Sequence, residues 1–177
     1  MSIQSKLCNP TPFNVSLPYE RGIKLKIPAD GVLELTMRQL DDYISGKPGS
    51  EEVRKTLDFY GLFLRDPDLS FDLQALQALQ ASYDAKKYMK DQFIRSAQKS
   101  RTQAGIVQDE ETMTDLLNSH GYGPNNLGGE IDALAERIKF LKERTDQTKR
   151  RVIDQLDPDL TCFGTQPPRP FESKLLL

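Results

Sequence analysis

The sequence predicts an α+β fold: a small N-terminal antiparallel β unit, then a long antiparallel helical hairpin, with extended N- and C-terminal arms. Three observations predict it. Between residues 11 and 36 the apolar side chains recur at alternate positions, the period of a half-buried strand. Residues 70–103 contain no Gly or Pro and are rich in strong helix formers, including Gln-Ala-Leu-Gln-Ala-Leu-Gln. The phrase P-x-P-F-x-x-x-L occurs twice, at Pro10–Leu17 and at Pro168–Leu175. Prolines two apart fix φ and push the preceding residues into extended backbone, so neither phrase can be helical.

Four segments follow in order. Residues 1–36 form an arm and a small β unit, in which Val15, Leu17, Ile23, Leu25, Ile27, Val32, Leu33 and Leu35 mark short strands. Arg21-Gly22 and Ala29-Asp30-Gly31 supply the turns, the second because Gly tolerates positive φ. Residues 37–69 hold two short helices and a connecting strand. Met37, Leu40, Tyr43 and Ile44 suggest the first helix, which stops before Gly46-Lys47-Pro48-Gly49. Ser50 has the side chain to cap the second, with Glu51 and Glu52 near its positive end and Val53, Leu57 and Tyr60 as its buried stripe. Gly61 ends that helix, and Leu62-Phe63-Leu64 reads as a further strand.

Residues 70–156 are the hairpin, with Ser70 as the cap of its first helix. The second helix runs from about Gly129 to Leu156. Its residues Ile131, Leu134, Ile138, Leu141, Thr145, Thr148 and Val152 step by three and four, a coiled-coil seam that turns polar in its second half. A short helix from Asp109 to about His120 caps the tip. Asp66-Pro67-Asp68-Leu69 and Asp157-Pro158-Asp159-Leu160 are rigid turns before and after the hairpin, and residues 157–177 form the second arm.

Composition excludes several function classes. The chain of 177 residues carries a net charge of -2, against a dedicated nucleic-acid binder. Its two cysteines, Cys8 and Cys162, have no metal-ligand spacing, so a reduced compartment is expected. No leader-like basic start with an apolar run is present, and no stretch reaches the roughly 20 apolar residues of a membrane span.

Catalytic signals are thin, and no cofactor or metal is expected. The single histidine, His120, stands before Gly121 at a helix end, where it is a partner for the C-terminal dipole rather than a base. Gly121 through Gly129 lacks the Lys-Ser/Thr ending of a phosphate loop and reads as a turn. Two carboxylates across a proline do not make a calcium loop.

Contact signals are stronger. Just over half of the chain's 24 basic residues fall on the two long helices. Lys86, Lys87, Lys90, Lys142, Arg144, Lys149, Arg150 and Arg151 are candidates for an electrostatic contact, set against the plainer reading of a solvated helix face. The twin phrases are either edge strands of the chain's own sheet or segments that dock on a partner by strand addition.

The phrase Asn9-Pro10-Thr11-Pro12-Phe13 through Leu35, then Gly46 to Glu52, then Gly61-Leu62-Phe63-Leu64-Arg65-Asp66, resembles structural proteins of tailed bacteriophages. The resemblance is one of overall style over most of the chain. It implies a non-enzymatic virion protein of the capsid cement or decoration type, assembled in the host cytoplasm and binding across neighbouring capsid subunits. The major capsid protein or another virion subunit would be its partner, a homo-oligomer is compatible, and neither a membrane nor, preferentially, nucleic acid is involved. The arm residues Pro10, Pro12, Phe13, Leu17, Pro168, Pro170, Phe171 and Leu175 would bind the partner, with prolines keeping the arms extended so that less entropy is lost on docking. A head-to-tail connector subunit and a nucleic-acid-associated protein using the basic hairpin are the alternatives.

Overall fold

The computed structural model describes residues 5–18, 24–36, 39, 50–105 and 110–156. Among these, the strands are β1 (Ser5–Cys8), β2 (Val15–Pro18), β3 (Lys24–Ile27), β4 (Val32–Leu35) and β5 (Phe63–Leu64). The helices are α1 (Ser50–Tyr60), α2 (Phe71–Gln103), α3 (Glu110–Ser119) and α4 (Leu127–Leu156). The class is mixed α+β. The chain divides into two compact units, Met1–Leu141 and Lys142–Leu177. The Arg21-Gly22 turn, the helix expected around Met37–Ile44, the second Asp-Pro-Asp turn, Cys162 and the C-terminal arm lie outside the described residues.

In the first unit the strands form two sheets, one in the order β4-β1-β5 and one pairing β2 with β3. All pairs are antiparallel; Leu7 stands opposite Leu33 and Leu64, and Leu17 opposite Leu25. One core gathers Leu7, Val15, Leu17, Ile27, Leu35 and Leu62. A second gathers Ala75, Leu79, Leu134, Ile138 and Leu141, from α2 and α4. Tyr83 packs against the second core, and Phe13 packs against both.

The N-terminus corrects the sequence reading. Residues 5–8 are no arm: they are the central strand of the three-stranded sheet. Leu7 and Cys8 are both 2% exposed, so consecutive side chains are covered on opposite faces. With both faces covered, the alternation that marks a half-buried strand is missing.

The P-x-P-F phrase that follows is folded inward. Asn9 is 1% exposed and Thr11 0%. The Asn9 amide nitrogen donates to Phe13 O at 3.0 Å and Pro28 O at 2.9 Å, with Ile27 O at 3.3 Å. Its carbonyl oxygen accepts from Thr11 N at 3.1 Å and Thr11 Oγ1 at 2.6 Å. Asn9 N donates to Gly31 O, and Asp30 N to Thr11 O. One side chain therefore replaces the ladder bonds that prolines 10 and 12 cannot donate.

The β3–β4 turn also differs in detail. The positive φ (52°) belongs to Asp30, whereas Gly31 is needed for space, since a Cβ there would sit 2.4 Å from the Pro28 ring. Asp has a short polar side chain and is among the residues that tolerate this region.

Helix ends follow local rules. Gly61 (φ 71°) closes α1 with a Schellman pair, Leu62 N to Leu57 O and Gly61 N to Asp58 O. A Cβ on Gly61 would approach Thr11 Cγ2 at 3.0 Å and Ser82 Cβ at 3.2 Å, so this glycine also lets α1, α2 and the Asn9 loop close together. Ser82 Oγ donates to Phe59 O at 2.6 Å across the same contact. At the start of α2 the expected Ser70 side-chain cap is absent. Gln74 takes over: its amide nitrogen donates to Asp66 O and Leu69 O, and its oxygen accepts from Asp66 N. A longer side chain inside the first turn reaches the whole preceding loop, which a serine hydroxyl cannot.

In the second unit, the described residues continue α4. Lys142 to Arg151 are exposed apart from the half-buried Thr145.

Burial pushes the Cys8 thiol above its ordinary value of 9.0, outweighing the pull of Arg65 and Lys6 in the other direction. A raised folded-state value favours the neutral thiol, so the contribution of Cys8 to stability is full below the unfolded value and falls as pH rises through the folded one. Urea titrations from pH 7 to 10.5 should show an alkaline decline that is shallower in Cys8→Ala. Asn9→Ala, which strands the amide and carbonyl groups now paired with it, should lower unfolding free energy by about 2–3 kcal/mol in urea at neutral pH.

Candidate functional site

The chemically richest point in the first unit lies where Lys86 is buried. Lys86 is on α2, in a run of good helix formers that sets its register, and it is 2% exposed. Its Nζ donates to Glu130 Oε2 of α4 at 2.6 Å. The ammonium also faces two aromatic rings, Phe13 at 4.8 Å and Phe59 of α1 at 5.3 Å to the centroids. An anionic oxygen and two ring faces thus offset the hydration the ammonium loses. Glu130 is 43% exposed, so one side of the pair reaches water while the lysine does not.

A second ion pair joins α4 to the β unit. Arg137 of α4 donates to Asp30 in the β3–β4 turn, and its guanidinium lies 6.0 Å from the Phe140 ring. The chemistry of both pairs is cohesion: each fastens the β unit or α2 to α4.

These contacts reassign three residues expected to face a partner. Lys86 belongs to the interior and not to an exposed basic surface. Phe13 is half-buried between the two cores, and Leu17 is 1% exposed in β2, where it faces Leu25. Pro10 is buried with them, while Pro12 is exposed. Leu17 has no free surface with which to anchor a neighbour, and Phe13 keeps only part of its own. Pro168, Pro170, Phe171 and Leu175 lie outside the described residues.

The other basic candidates stay on the surface. Lys87, Lys142, Arg144, Lys149, Arg150 and Arg151 are exposed and Lys90 is half-buried. Lys87 Nζ lies over its own helix neighbour Tyr83 at 5.7 Å.

The remaining motifs have local roles. His120 Nδ1 lies 3.0 Å from Leu116 O and 3.0 Å from Ser119 Oγ, at the end of α3. Gly121 (φ 80°) completes a Schellman turn with Tyr122 N on Leu117 O. Tyr122 then stacks on Phe93 of α2 at 4.5 Å, and His120 lies 5.0 Å from the same ring. Asp66-Pro67-Asp68 forms a turn in which Asp68 N donates to Asp66 Oδ1. Among the described residues no group of three or more His, Cys, Asp or Glu is placed to hold a metal ion. No helix there is long and apolar enough to cross a membrane.

The Lys86 joint was hidden because every feature of Lys86 in the sequence is that of a solvated helix lysine. The only signal was position: steps of three and four lead from Ala75 through Ala78, Leu79 and Ser82 to Lys86, along one buried face.

Removing only the partner should hurt more than replacing the lysine. Glu130→Gln leaves a buried ammonium without its counter-charge and should cost about 2 kcal/mol. Lys86→Met, whose thioether packs well on aromatic rings, should stay within about 1 kcal/mol of wild type in the same urea assay.

Comparison with family models, with curated proteins and with solved structures returns no match.

Proposed function

We propose that this chain is a non-enzymatic structural protein of a virion, which stabilises a phage capsid by binding across neighbouring capsid subunits. Its long helices form the hairpin that spans the contact, and its C-terminal arm, with Pro168, Pro170, Phe171 and Leu175, anchors the neighbour. The observation that carries the reading is the use of the buried polar residues. Asn9, Gln74, Ser82 and Lys86 each fasten one segment to another, and Thr11 holds Asn9 in place. Such a molecule is built to hold shape, and its chemistry is turned outward as exposed bases and apolar side chains. Because the N-terminal phrase lies inside the fold, the arm role falls to the C-terminal phrase alone.

A second reading is favoured by the exposed bases Lys142, Arg144, Lys149, Arg150 and Arg151 on α4, namely contact with nucleic acid inside the particle. Salt separates the two. Each neutralised phosphate contributes about -0.9 to the slope of log affinity against log salt, whereas an apolar arm contact changes little.

The test is sedimentation of particles through a density gradient at 50 mM and 500 mM salt, on the order of the range over which phosphate contacts fail. The chain should travel with capsids at both salts, and deletion of residues 161–177 should leave it at the top of the gradient. Full-length chain found only at the top would refute the capsid reading, and release by salt alone would favour nucleic acid.

A further inference from the structure

Asp30-Gly31, in the β3–β4 turn, is a pair with a reaction of its own. The Gly31 nitrogen and the Asp30 Cγ are the ends of a five-atom span, and glycine has no side chain to hinder their approach. In the ring closure Gly31 N bonds to Asp30 Cγ and gives up its proton, the carboxyl gives up a hydroxyl, and the two leave as water. Water then opens the five-membered imide at either carbonyl. One opening restores aspartate, and the other leaves an isoaspartyl link that runs through the side chain. Two features of the turn expose the pair to this course. The Asp30 side chain is 53% exposed, so water leaves and enters freely. Asp30 also holds φ 52°, which Asp tolerates but does not prefer.

Four contacts resist the closure. Gly31 N donates to Pro28 O at 3.0 Å, which occupies the nitrogen that would attack. Asp30 N donates to Thr11 O at 3.2 Å and Asn9 N to Gly31 O at 2.9 Å, so the backbone is held on both sides of the bonds that must turn. The fourth contact acts on the carboxylate itself, which accepts from Arg137 of α4, 107 residues further along the chain. An intramolecular attack depends on the reacting atoms being aligned, and a misplacement of about 1 Å costs on the order of a hundredfold in rate. A carboxylate tied to another element is a misplaced one.

We infer that Asp30-Gly31 is an isoaspartyl modification site that the fold keeps closed, with Arg137 as the positioning residue that holds its carboxylate. Conversion adds a carbon to the backbone between the groups bonded to Thr11 O and Asn9 N, and so loosens the loop that seats Phe13. The site therefore records how long a chain has spent open at this turn. It stands apart from the virion reading and requires no partner.

Purified full-length chain, held for several weeks at neutral pH and body temperature, tests it when its peptides are mapped for isoaspartate by chromatography and by enzymatic methylation of isoaspartyl groups. The peptide bearing residue 30 should convert about tenfold faster or more in urea than in the native chain. Arg137→Gln, and Arg137→Met with its unbranched stem, should each convert about tenfold faster than wild type while circular dichroism stays native. Arg137→Lys keeps a donor for the carboxylate and should stay near wild type. Asp30→Glu can close only a six-membered ring and should fall to background. No isoaspartate at residue 30 in urea overturns the inference, as do equal rates in native and unfolded wild type. A folded Arg137→Gln that converts no faster than wild type overturns it too. If neither Arg137→Gln nor Arg137→Met folds, Arg137→Lys and the comparison of native with unfolded wild type decide the matter.

Discussion

An ammonium removed from water must be given back most of what hydration supplied, and Lys86 shows how many elements that demand recruits. Its charge is met by Glu130 of α4, and its remaining faces by the rings of Phe13 and Phe59. The lysine is thereby the point at which the N-terminal loop, α1, α2 and α4 share one interaction. Ion pairing of this kind adds little to stability over an apolar alternative, but it is directional. Among the described residues its hydrogen-bond acceptor is Glu130, which ties α2 to α4 beside the Ala75–Leu79–Leu134–Ile138 packing.

The second constraint is the absence of backbone donors in Pro10 and Pro12. A proline-bearing segment enters a core only if something else bonds the carbonyls it brings along. Asn9 does this for Phe13 O, bonds Ile27 O and Pro28 O at the end of β3 as well, and is fixed in turn by Thr11. Gly61 then matters for its missing side chain as much as for its φ, because Thr11 and Ser82 occupy the space. Phe13 reaches Lys86 only because this loop is closed, so the two constraints are linked through one aromatic ring.

Along α4 the environment changes without a break in the helix. Ile131, Leu134, Ile138 and Leu141 are buried, and from Lys142 the described side chains are charged or polar and almost all exposed. A helix whose stability comes from packing in its first half and from water-facing charge in its second is suited to present the latter to something else.

Much of the helical structure was determined by sequence alone. The Gly- and Pro-free run gave α2 to within a residue, and the seam from Ile131 to Leu141 identified the buried face of α4. These are local properties, since a 3.6-residue period is written in neighbouring residues. The start of α4 fell two residues early because Gly128 and Gly129, which read as loop, are helical. Any Cβ on them would strike the carbonyls of Tyr122, Gly123 or Pro124. Tertiary structure alone decided that residues 5–8 are a central strand, that Phe13 packs between two cores, and that Lys86 is buried. These depend on partners distant in sequence, such as Leu64 for Leu7, Lys86 for Phe13 and Glu130 for Lys86. Pairings at that separation leave no periodic trace, because what selects them is the closing of distant groups on one another and not the spacing of near ones.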